Sequence, residues 1–337
     1  MTRPPEIHVV FGTGPLGRAV AASLAGRGHR VRVVNRRGRA GDLPPGVEVA
    51  AGDATEADQV RSLTHGAAVV YQCAQPPYTN WPEEFPPLQE GVIEGVAASG
   101  ARLVIAENLY MYGDTDGRVI TEDTPLNPHG RKGRTRARMT EQALAAHQAG
   151  KVRIAIGRGS DLFGPHVSGS VVGAEVFQRI LDGKPARTIG NPDLPHSYTY
   201  TRDFGEALVI LGEREQAFGR AWHVPTAEAV TTRRLVGMVA EAAGRAARVQ
   251  TAGPVMLGLL GLVIRDLREL QELRYEFEKP FVVDSSRFEQ AFGMRATPLA
   301  EAIRETVVWY TGRSSYSGWS TSNINRGRTR ASPMIDL

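Results

Sequence analysis

Several features are scarce or missing in this sequence of 337 residues, and each absence excludes a class of protein. With one cysteine, Cys73, the chain cannot form an internal disulfide, which excludes a secreted disulfide scaffold. The longest apolar run, Pro254 to Ile264, is shorter than the about 20 residues that a membrane-spanning helix needs. The beginning of the chain has no secretory-signal pattern. We therefore expect a cytoplasmic protein with no membrane partner.

Signals for metal, nucleic acid and serine hydrolysis are also weak. The eight histidines show no paired ligand spacing, and one cysteine argues against structural zinc, so we expect no metal. The net charge is only +4, and residues 313–337 contribute four arginines against one aspartate. Without a basic stripe that carries aromatics, no nucleic-acid partner is expected. No Gly-x-Ser-x-Gly elbow with a suitable strand and helix occurs, which disfavours a serine hydrolase.

What the sequence does contain is a glycine-rich motif directly after a short apolar strand at residues 7–11. The motif is Gly12-Thr13-Gly14-Pro15-Leu16-Gly17, and an alanine-rich helix follows it. Gly12 suits a tight turn, Gly14 lets backbone approach a pyrophosphate, and Gly17 lets the helix pack closely on the strand. The helix also points free N–H groups and its positive dipole end at phosphates. The motif therefore predicts a dinucleotide site.

The end of the second strand indicates which dinucleotide binds. Residues 29–34 are followed by Asn35, Arg36 and Arg37, about twenty residues after the motif, where an acidic residue would bind a ribose 2′-OH. An acidic residue would repel a 2′-phosphate, whereas Arg36 or Arg37 offers it a planar, always charged group. NADP is therefore favoured over NAD. The alternative is that both arginines are simply a solvated strand end.

Two further strand ends face the same space. Val47 to Asp53 predicts a third strand, and Asp53 either accepts a hydrogen bond from the adenine amino group or caps a helix that starts near Ala54. The segment after the next strand, Ala67 to Cys73, contains Gln75, Tyr78 and Trp81. These three side chains could line the substrate space, or the neighbouring proline pair could just order a surface loop.

Strands and helices alternate along the chain. Beyond the first three strands, strands are predicted at Ala67–Cys73, Arg102–Ala106 and Val152–Gly157, and helices at about Leu16–Gly28, Phe85–Ser99 and Thr135–Gln148. This order predicts an α/β fold, a Rossmann doubly wound parallel sheet. We expect an NADP-binding domain over 1–165 to which 200–225 return, a smaller, mostly helical substrate-binding part over 166–199 and 226–312, and a flexible basic tail over 313–337.

Taken together, these motifs resemble the extended short-chain dehydrogenase/reductases of the NAD-dependent epimerase/dehydratase family, over about residues 7 to 312. The resemblance is carried by the glycine motif, by Gly52-Asp53, by Cys73-Ala74 where the family has a small-residue turn beside the cofactor, and by Leu109 to Gly113, similar to its Val-Tyr-Gly element. Segments 156–165, 200–203 and 281–288 match later family elements in order. The resemblance implies a Rossmann fold and a nicotinamide cofactor beside Cys73, Ala74 and Gln75.

The family's catalytic Ser or Thr, Tyr and Lys are absent from their usual places. Asn108 occupies the serine position. Aligning Pro128-His129-Gly130 with the family's Pro-Tyr-Gly puts His129 at the tyrosine and Gly133 at the lysine, whereas aligning on the downstream glutamate puts Gly133 and Ala137 there. Both alignments lose the Tyr-x-x-x-Lys pair and with it the usual general acid.

Three residues are candidate substitutes. Lys132, at the start of the predicted helix, could replace the lysine at the nicotinamide ribose, although it also fits a solvated basic run. Tyr110, at a strand end, could supply a proton. Asn108 can position a carbonyl but cannot donate a proton to it as an acid would.

Three functions follow from these observations. The first is an NADP-dependent oxidoreductase that reduces or oxidises a small carbonyl or alcohol with a non-standard active site. The second is a redox-neutral epimerase or dehydratase on a sugar-like substrate, disfavoured because those steps also need the missing acid and base. The third is a catalytically inactive NADP-binding sensor or scaffold. A small-molecule substrate is the expected partner, and a homodimer is a further possibility.

Overall fold

The computed structural model describes residues 6–252 and 271–315 of the chain. The strands are β1 (Ile7–Phe11), β2 (Arg30–Asn35), β3 (Glu48–Ala51), β4 (Ala67–Gln72), β5 (Arg102–Glu107), β6 (Ile154–Arg158), β7 (Asp161–Phe163), β8 (Ala186–Ile189), β9 (Pro195–His196), β10 (Tyr198–Tyr200), β11 (Ala221–His223), β12 (Val230–Thr231) and β13 (Val249–Ala252). The helices are α1 (Pro15–Gly26), α2 (Ala57–Leu63), α3 (Trp81–Ser99), α4 (Gly130–Gln148), α5 (Phe177–Leu181), α6 (Thr201–Glu213), α7 (Thr232–Ala242), α8 (Arg274–Glu278), α9 (Ser286–Phe292) and α10 (Leu299–Ser315).

Seven of these strands form one sheet in the spatial order β11-β6-β5-β4-β1-β2-β3. Every neighbouring pair is parallel, which confirms the predicted doubly wound sheet. The chain order reverses between β1 and β4, so the carboxyl ends of these strands open onto a crevice. Ligands of open α/β sheets bind at this kind of position.

Helices cover both faces of the sheet. Helices α1 and α6 pack together on one face, and α3 packs against α2 and α4 on the other. The sheet strands contribute side chains that are almost fully buried, such as Val10 on one side and Val9 on the other. Because both faces are buried, the central strands have continuous apolar sequences. Residues 201–223 return to this body through α6 and β11.

A second apolar cluster lies beside the large sheet. It joins α5, α7 and α10 through buried side chains that include Phe177, Leu235 and Ile303. Three two-stranded sheets accompany it, formed by β7 with β10, β9 with β12, and β8 with β13. The sequence indicated a mostly helical region after Thr231, and the strand β13 inside that region was not predicted.

Predicted and observed boundaries differ most at the starts of two helices; the predicted strands up to β6 and helix α1 agree with the structure within two residues. Helix α3 begins at Trp81 rather than Phe85, with Pro86 and Pro87 inside it. Helix α4 begins at Gly130 rather than Thr135 because the Glu272 carboxylate accepts hydrogen bonds from the first backbone N–H groups of that helix. A carboxylate at a helix N-terminus also interacts favourably with the helix dipole.

The carboxyl-terminal part of the chain differs from the prediction at one point. Helix α10 runs to Ser315, so the first three residues of the predicted tail, 313–315, continue a helix. The remainder of that tail and the apolar run Pro254 to Ile264 lie outside the described residues.

Candidate functional site: the dinucleotide cleft

The glycine motif forms the turn between β1 and α1. Gly12 has φ +108°, a conformation that side-chain-bearing residues rarely adopt. A Cβ on Gly17 would lie 2.1 Å from the Gly12 carbonyl oxygen, so only glycine lets α1 approach the turn this closely. These two glycines have the structural roles that the sequence predicts for them.

The amino-terminal end of α1 fits a phosphate-bearing cofactor. Gly14 precedes the helix, no side chain caps it, and Pro15 occupies the first turn. A Cβ added to Gly14 would meet no atom within 4 Å, so open space lies beside the backbone there. Backbone N–H groups at such a helix end bind anions through hydrogen bonds and the helix dipole. Thr13 and Leu16 complete this loop, and Leu16 lines the adjoining cleft.

Asn35 organises the loop at the end of β2, where the sequence predicts the adenosine side of the site. Its Oδ1 accepts a hydrogen bond from the Arg37 backbone N–H at 2.8 Å, and its Nδ2 donates to the Arg39 carbonyl and, at 3.3 Å, to Thr13 Oγ1. The structure thus brings Thr13 and Asn35 together. Arg36 and Arg37 are exposed in the loop that Asn35 organises, where their guanidinium groups are accessible.

Asp53 lies near Arg36, at the end of β3. Its Oδ1 accepts hydrogen bonds from the backbone N–H and the hydroxyl of Thr55. The backbone bond from Thr55, with a smaller contribution from Arg36, holds the pKa of Asp53 below its usual value. Helix α2 starts at Ala57, not near Ala54, so Asp53 is not its N-cap. Of the two sequence alternatives, the capping role is wrong, and the adenine contact stays a prediction.

A cleft of about 310 Å³ opens at the carboxyl ends of β1, β4 and β5. Its lining brings together residues that are far apart in sequence: Leu16, Gln72, Cys73, Ala74, Gln75, Trp81, Phe85, Ala106, Glu107, Asn108, Arg136 and Phe204. Cys73, Ala74, Gln75 and Asn108 are therefore placed together, as expected. Burial raises the pKa of the Cys73 thiol to about 12, so it is not poised as a thiolate nucleophile at neutral pH.

The cleft wall contains a buried ion pair that the sequence did not predict. Arg158 Nε donates to Glu107 Oε2 at 3.0 Å, and the Thr140 hydroxyl also donates to that carboxylate. Burial opposes the charge of Arg158, but Glu107 outweighs it and raises the pKa of the guanidinium. Each partner is thus compensated, which a buried charge requires.

This ion pair continues into a chain of hydrogen bonds. Arg158 Nη1 donates to Tyr112 Oη at 2.7 Å, and Tyr112 Oη lies 2.8 Å from His223 Nε2. His223 Nδ1 lies 2.9 Å from the Asp284 carbonyl, which only accepts, so Nδ1 carries the proton and Nε2 accepts from Tyr112. Burial lowers the pKa of His223 to about 4 and keeps it neutral. The chain connects β5 and β6 with residue 284.

Arg136 is the second cleft residue that sequence reasoning missed. It is 2% exposed, and its guanidinium lies 4.8 Å from the Phe85 ring centroid and 5.8 Å from that of Trp81. A usable signal existed, because Met139, Thr140 and Ala143 follow Arg136 at helical spacing and mark one buried face of α4. Because Arg136 stands in a run of basic residues, the sequence did not distinguish it from solvated arginines.

Tyr110 and Lys132 lie near each other, because both pack against Tyr78. Neither is among the residues that line the cleft in the described part of the chain. Lys132 is 0% exposed, and its Nζ lies 4.3 Å from the ring centroid of Tyr78. Tyr110 packs with Tyr78 and Trp81 in one apolar cluster. Burial, with the nearby Tyr78, raises the pKa of Tyr110 well above its usual value. Lys132 is therefore not part of a solvated basic run.

Neither alignment of the missing pair places an acid at the cleft. His129 is exposed, and its Nδ1 accepts a hydrogen bond from the Asp114 backbone N–H at 3.1 Å. Gly133 faces the Tyr110 carbonyl oxygen, which would lie 2.8 Å from a Cβ at that position. At the turn where the second alignment expects a tyrosine, α4 and the Tyr110 segment are too close for any side chain.

A buried acid cluster lies on the far side of Tyr110. His196 Nε2 lies 2.8 Å from Asp161 Oδ2, and its Nδ1 lies 3.1 Å from the Glu276 backbone oxygen. Burial, with the charge of Asp161, raises the pKa of the Glu276 carboxyl well above its usual value. A protonated carboxyl, that of Glu276, therefore lies near Tyr110 on this side.

The motif loop, the strand ends and the cleft define a Rossmann protein of the dinucleotide-binding class. Residues 7–224 match the model of the NAD dependent epimerase/dehydratase family, and the chain belongs to this family. A dTDP-glucose 4,6-dehydratase of Streptomyces griseus is 24% identical over 207 residues, which make up 61% of this chain and 57% of that protein. The chain thus spans less than two thirds of this curated relative.

Solved structures share the fold over nearly the whole chain. A dTDP-glucose 4,6-dehydratase double mutant from Streptomyces venezuelae, solved with NAD bound, has a TM-score of 0.75 at 18% identity and covers 92% of this chain and 98% of its own. A UDP-glucose 4-epimerase from Thermus thermophilus, in complex with NAD, has a TM-score of 0.74 at 22% identity, covering 91% and 99%. At these identities the likeness establishes the fold alone.

No helix in the described parts of the chain is long and apolar enough to cross a membrane.

Proposed function

We propose that this chain binds NADP(H) and catalyses hydride transfer to the carbonyl group of a small substrate. The observation that carries the proposal is the end of β2, where Asn35 presents the exposed Arg36 and Arg37 and no carboxylate competes for a ribose hydroxyl. The 2′-phosphate of NADP would bind there. The fit of the Gly14 backbone and the α1 amino terminus to a pyrophosphate supports the same cofactor.

The protein side of the reaction is assigned to three residues. Asn108 lines the cleft and orients the carbonyl oxygen through its amide. Tyr110 is the proposed proton donor, and because the Trp81 ring, with centroids 5.9 Å apart, stands between it and the cleft, donation requires that Trp81 move or that one water relay the proton to the substrate oxygen. Lys132 is a positioning residue that acts on Tyr110 through Tyr78. The cofactor supplies the hydride.

The protonation state of Tyr110 favours reduction over the opposite direction. Its raised pKa keeps the phenol protonated at neutral pH, as a general acid must be. Oxidation of an alcohol needs a base at the same place, and a buried, neutral phenol is a poor base.

An epimerase or dehydratase acting on a sugar-like substrate is the second candidate. It is supported by the family and by the curated dTDP-glucose 4,6-dehydratase, which matches over 207 residues. The two candidates differ in a measurable way, because a redox-neutral enzyme converts substrate without net consumption of NADPH. A third outcome, NADPH binding without turnover of any substrate, would favour the non-catalytic alternative.

Cofactor titration tests the proposal. Wild type should bind NADPH more tightly than NADH by about 10- to 100-fold, the value of one or two charge-assisted hydrogen bonds. The double variant Arg36→Ala plus Arg37→Ala should lose this preference and retain its NADH affinity. Arg138→Ala, which removes an exposed arginine of α4, serves as the control. Equal affinity of wild type for the two cofactors would contradict the assignment.

A further inference from the structure

Several residues that line the dinucleotide cleft have buried polar atoms with no hydrogen-bond partner among the described residues. These atoms are Gln72 Oε1, Asn108 Nδ2, and Nε and Nη1 of Arg136. The two amides are held in one orientation, because Gln72 Nε2 donates to the Ala74 carbonyl and Asn108 Oδ1 accepts from the Tyr110 N–H. Buried polar groups are normally satisfied, so their convergence on one cleft indicates a missing ligand.

The charge of Arg136 indicates which chemical group the missing ligand carries. Its guanidinium makes one hydrogen bond, from Nη2 to the Ala106 carbonyl at 3.2 Å, and it forms no ion pair within the described residues. The adjacent carboxylate of Glu107 is held by Arg158 and Thr140. Burial lowers the pKa of Arg136, and the charge of Glu107 offsets that effect only in part.

The other neighbours of Arg136 stabilise a cation without neutralising it. Phe85 and Trp81 present their rings to the guanidinium. A neutral amide or hydroxyl in the cleft would satisfy hydrogen bonds but leave the charge uncompensated. An anionic oxygen would accept hydrogen bonds from the guanidinium and would also compensate its charge.

Resting on the proposed function, we propose that the substrate carries a carboxylate, which Arg136 binds, next to the carbonyl group that is reduced. The ligand class is therefore a small oxo acid. Asn108 Nδ2 lies on the same cleft wall to receive the carbonyl oxygen. Hydride from NADPH adds to the carbonyl carbon, the π electrons move to the oxygen, and that oxygen takes one proton. The products are the hydroxy acid and NADP⁺.

Matched pairs of a carboxylate and its ester test the charge requirement. Binding of pyruvate and 4-methyl-2-oxopentanoate is measured by calorimetry with NADP⁺ present and compared with their methyl esters, which keep the carbonyl but lose the charge. Wild type should bind at least one acid about 10- to 100-fold more tightly than its ester. Equal binding within both pairs, or no binding of either acid, overturns the inference.

Variants of Arg136 identify the receptor. Arg136→Met should abolish the preference for the acid, with about 100-fold weaker acid binding and unchanged ester binding. Arg138→Met, an exposed arginine on the same helix, should bind like wild type. Arg136→Lys keeps a charge and should retain part of the preference, so the test stands even if the methionine variant folds poorly. Retention of the full preference in Arg136→Met overturns the inference.

Melting temperature separates a ligand-binding role from a structural one. Replacing an unpaired buried cation with an apolar side chain of similar length should leave the melting temperature of the cofactor-free protein unchanged or higher. A lower melting temperature together with a retained acid preference would mean that Arg136 is structural. Failure of the proposed function is distinguishable, because it would appear as bound acid without NADPH consumption.

Discussion

Two buried arginines contact Ala106 and Glu107 at the end of β5 but have different electrostatic environments. Arg158 is paired with Glu107 and bonded to Tyr112, and its pKa is raised. Arg136 has aromatic neighbours and one carbonyl contact, and its pKa is lowered by burial. The first residue connects strands of the scaffold, whereas the second is the residue to which we assign the carboxylate of the substrate. This difference depends on side-chain partners, which residue type alone does not reveal.

Site variants test the residue roles in carbonyl reduction. Tyr110→Phe should lower kcat by about 10²- to 10⁴-fold, the usual effect of losing a proton donor, and leave NADPH affinity unchanged. Lys132→Ala should lower kcat less, because Lys132 acts through Tyr78, and Asn108→Ala should mainly raise KM for the carbonyl substrate. Tyr200→Phe, a buried tyrosine in the second apolar cluster, is the control.

The measurement is NADPH consumption on any carbonyl substrate that reacts, with cofactor affinity determined separately. Unchanged turnover in all three site variants would show that the donor lies elsewhere. Glu276, whose raised pKa keeps its carboxyl protonated near Tyr110, would then be the next candidate donor.

At the scale of elements, the placement of α1 decides whether the cofactor site forms. Helix α1 meets the Gly12 carbonyl at Gly17, whereas Gly14 faces open space. The two glycines are thus one turn apart and have different physical tasks. One allows helix packing, and the other leaves room for the cofactor.

A pair of alanine variants separates these tasks. Gly17→Ala introduces a Cβ 2.1 Å from the Gly12 oxygen and should lower the melting temperature, with a loss of about 1–3 kcal/mol from overpacking. Gly14→Ala should leave the melting temperature unchanged or slightly higher while weakening NADPH binding at least about 10-fold, because the methyl group occupies the pyrophosphate space. Thermal unfolding and cofactor titration measure both effects. Unchanged NADPH affinity in Gly14→Ala would place the cofactor elsewhere.

The start of α4 shows how elements depend on distant chain segments. Its first turn contains Arg131 and Lys132, whose N–H groups are satisfied by Glu272, about 140 residues away. The sequence pattern near α4 contains no capping residue at this point, so the prediction started the helix a turn later. Helix ends need partners for their free N–H groups, and here the partner comes from the tertiary fold.

At the scale of the whole molecule, two buried histidines of the large sheet make folding stability depend on pH. His8 in β1 lies 3.2 Å from Tyr71 Oη, and burial, with nearby positive charge, lowers its pKa to about 3. His223 in β11 has a pKa of about 4 for the same principal reason. Both are neutral in the folded protein at neutral pH.

Folding stability should therefore fall on acidification. The unfolded chain takes up protons at these histidines below about pH 6.5, whereas the folded chain does not until about pH 4 for His223 and about pH 3 for His8. Their contribution is fully present above about pH 6.5 and is lost as the pH falls towards the folded values. For His223 the loss amounts to about 3 kcal/mol.

Urea unfolding at pH 8, 6.5 and 5 measures this dependence. His223→Gln should be less stable than wild type at pH 8 but should lose less stability between pH 8 and 5. His65→Gln, which changes an exposed histidine, should show the wild-type slope. A His223→Gln slope equal to that of wild type would assign the acid sensitivity to other groups.

The sequence by itself determined the parallel sheet, the Gly12–Gly17 turn and the basic end of β2, because each depends on neighbours within one strand–turn–helix unit. The tertiary structure alone decided the content of the cleft wall. Glu107 and Arg136, which line the cleft, and Arg158, which pairs with Glu107, come from three separate elements, and only packing brings them together. Their charges acquire a role through burial and pairing, which are long-range properties. A local pattern of residues therefore predicted the turn and the strand end to which we assign the cofactor. It did not predict the charged residues Glu107 and Arg136 of the cleft.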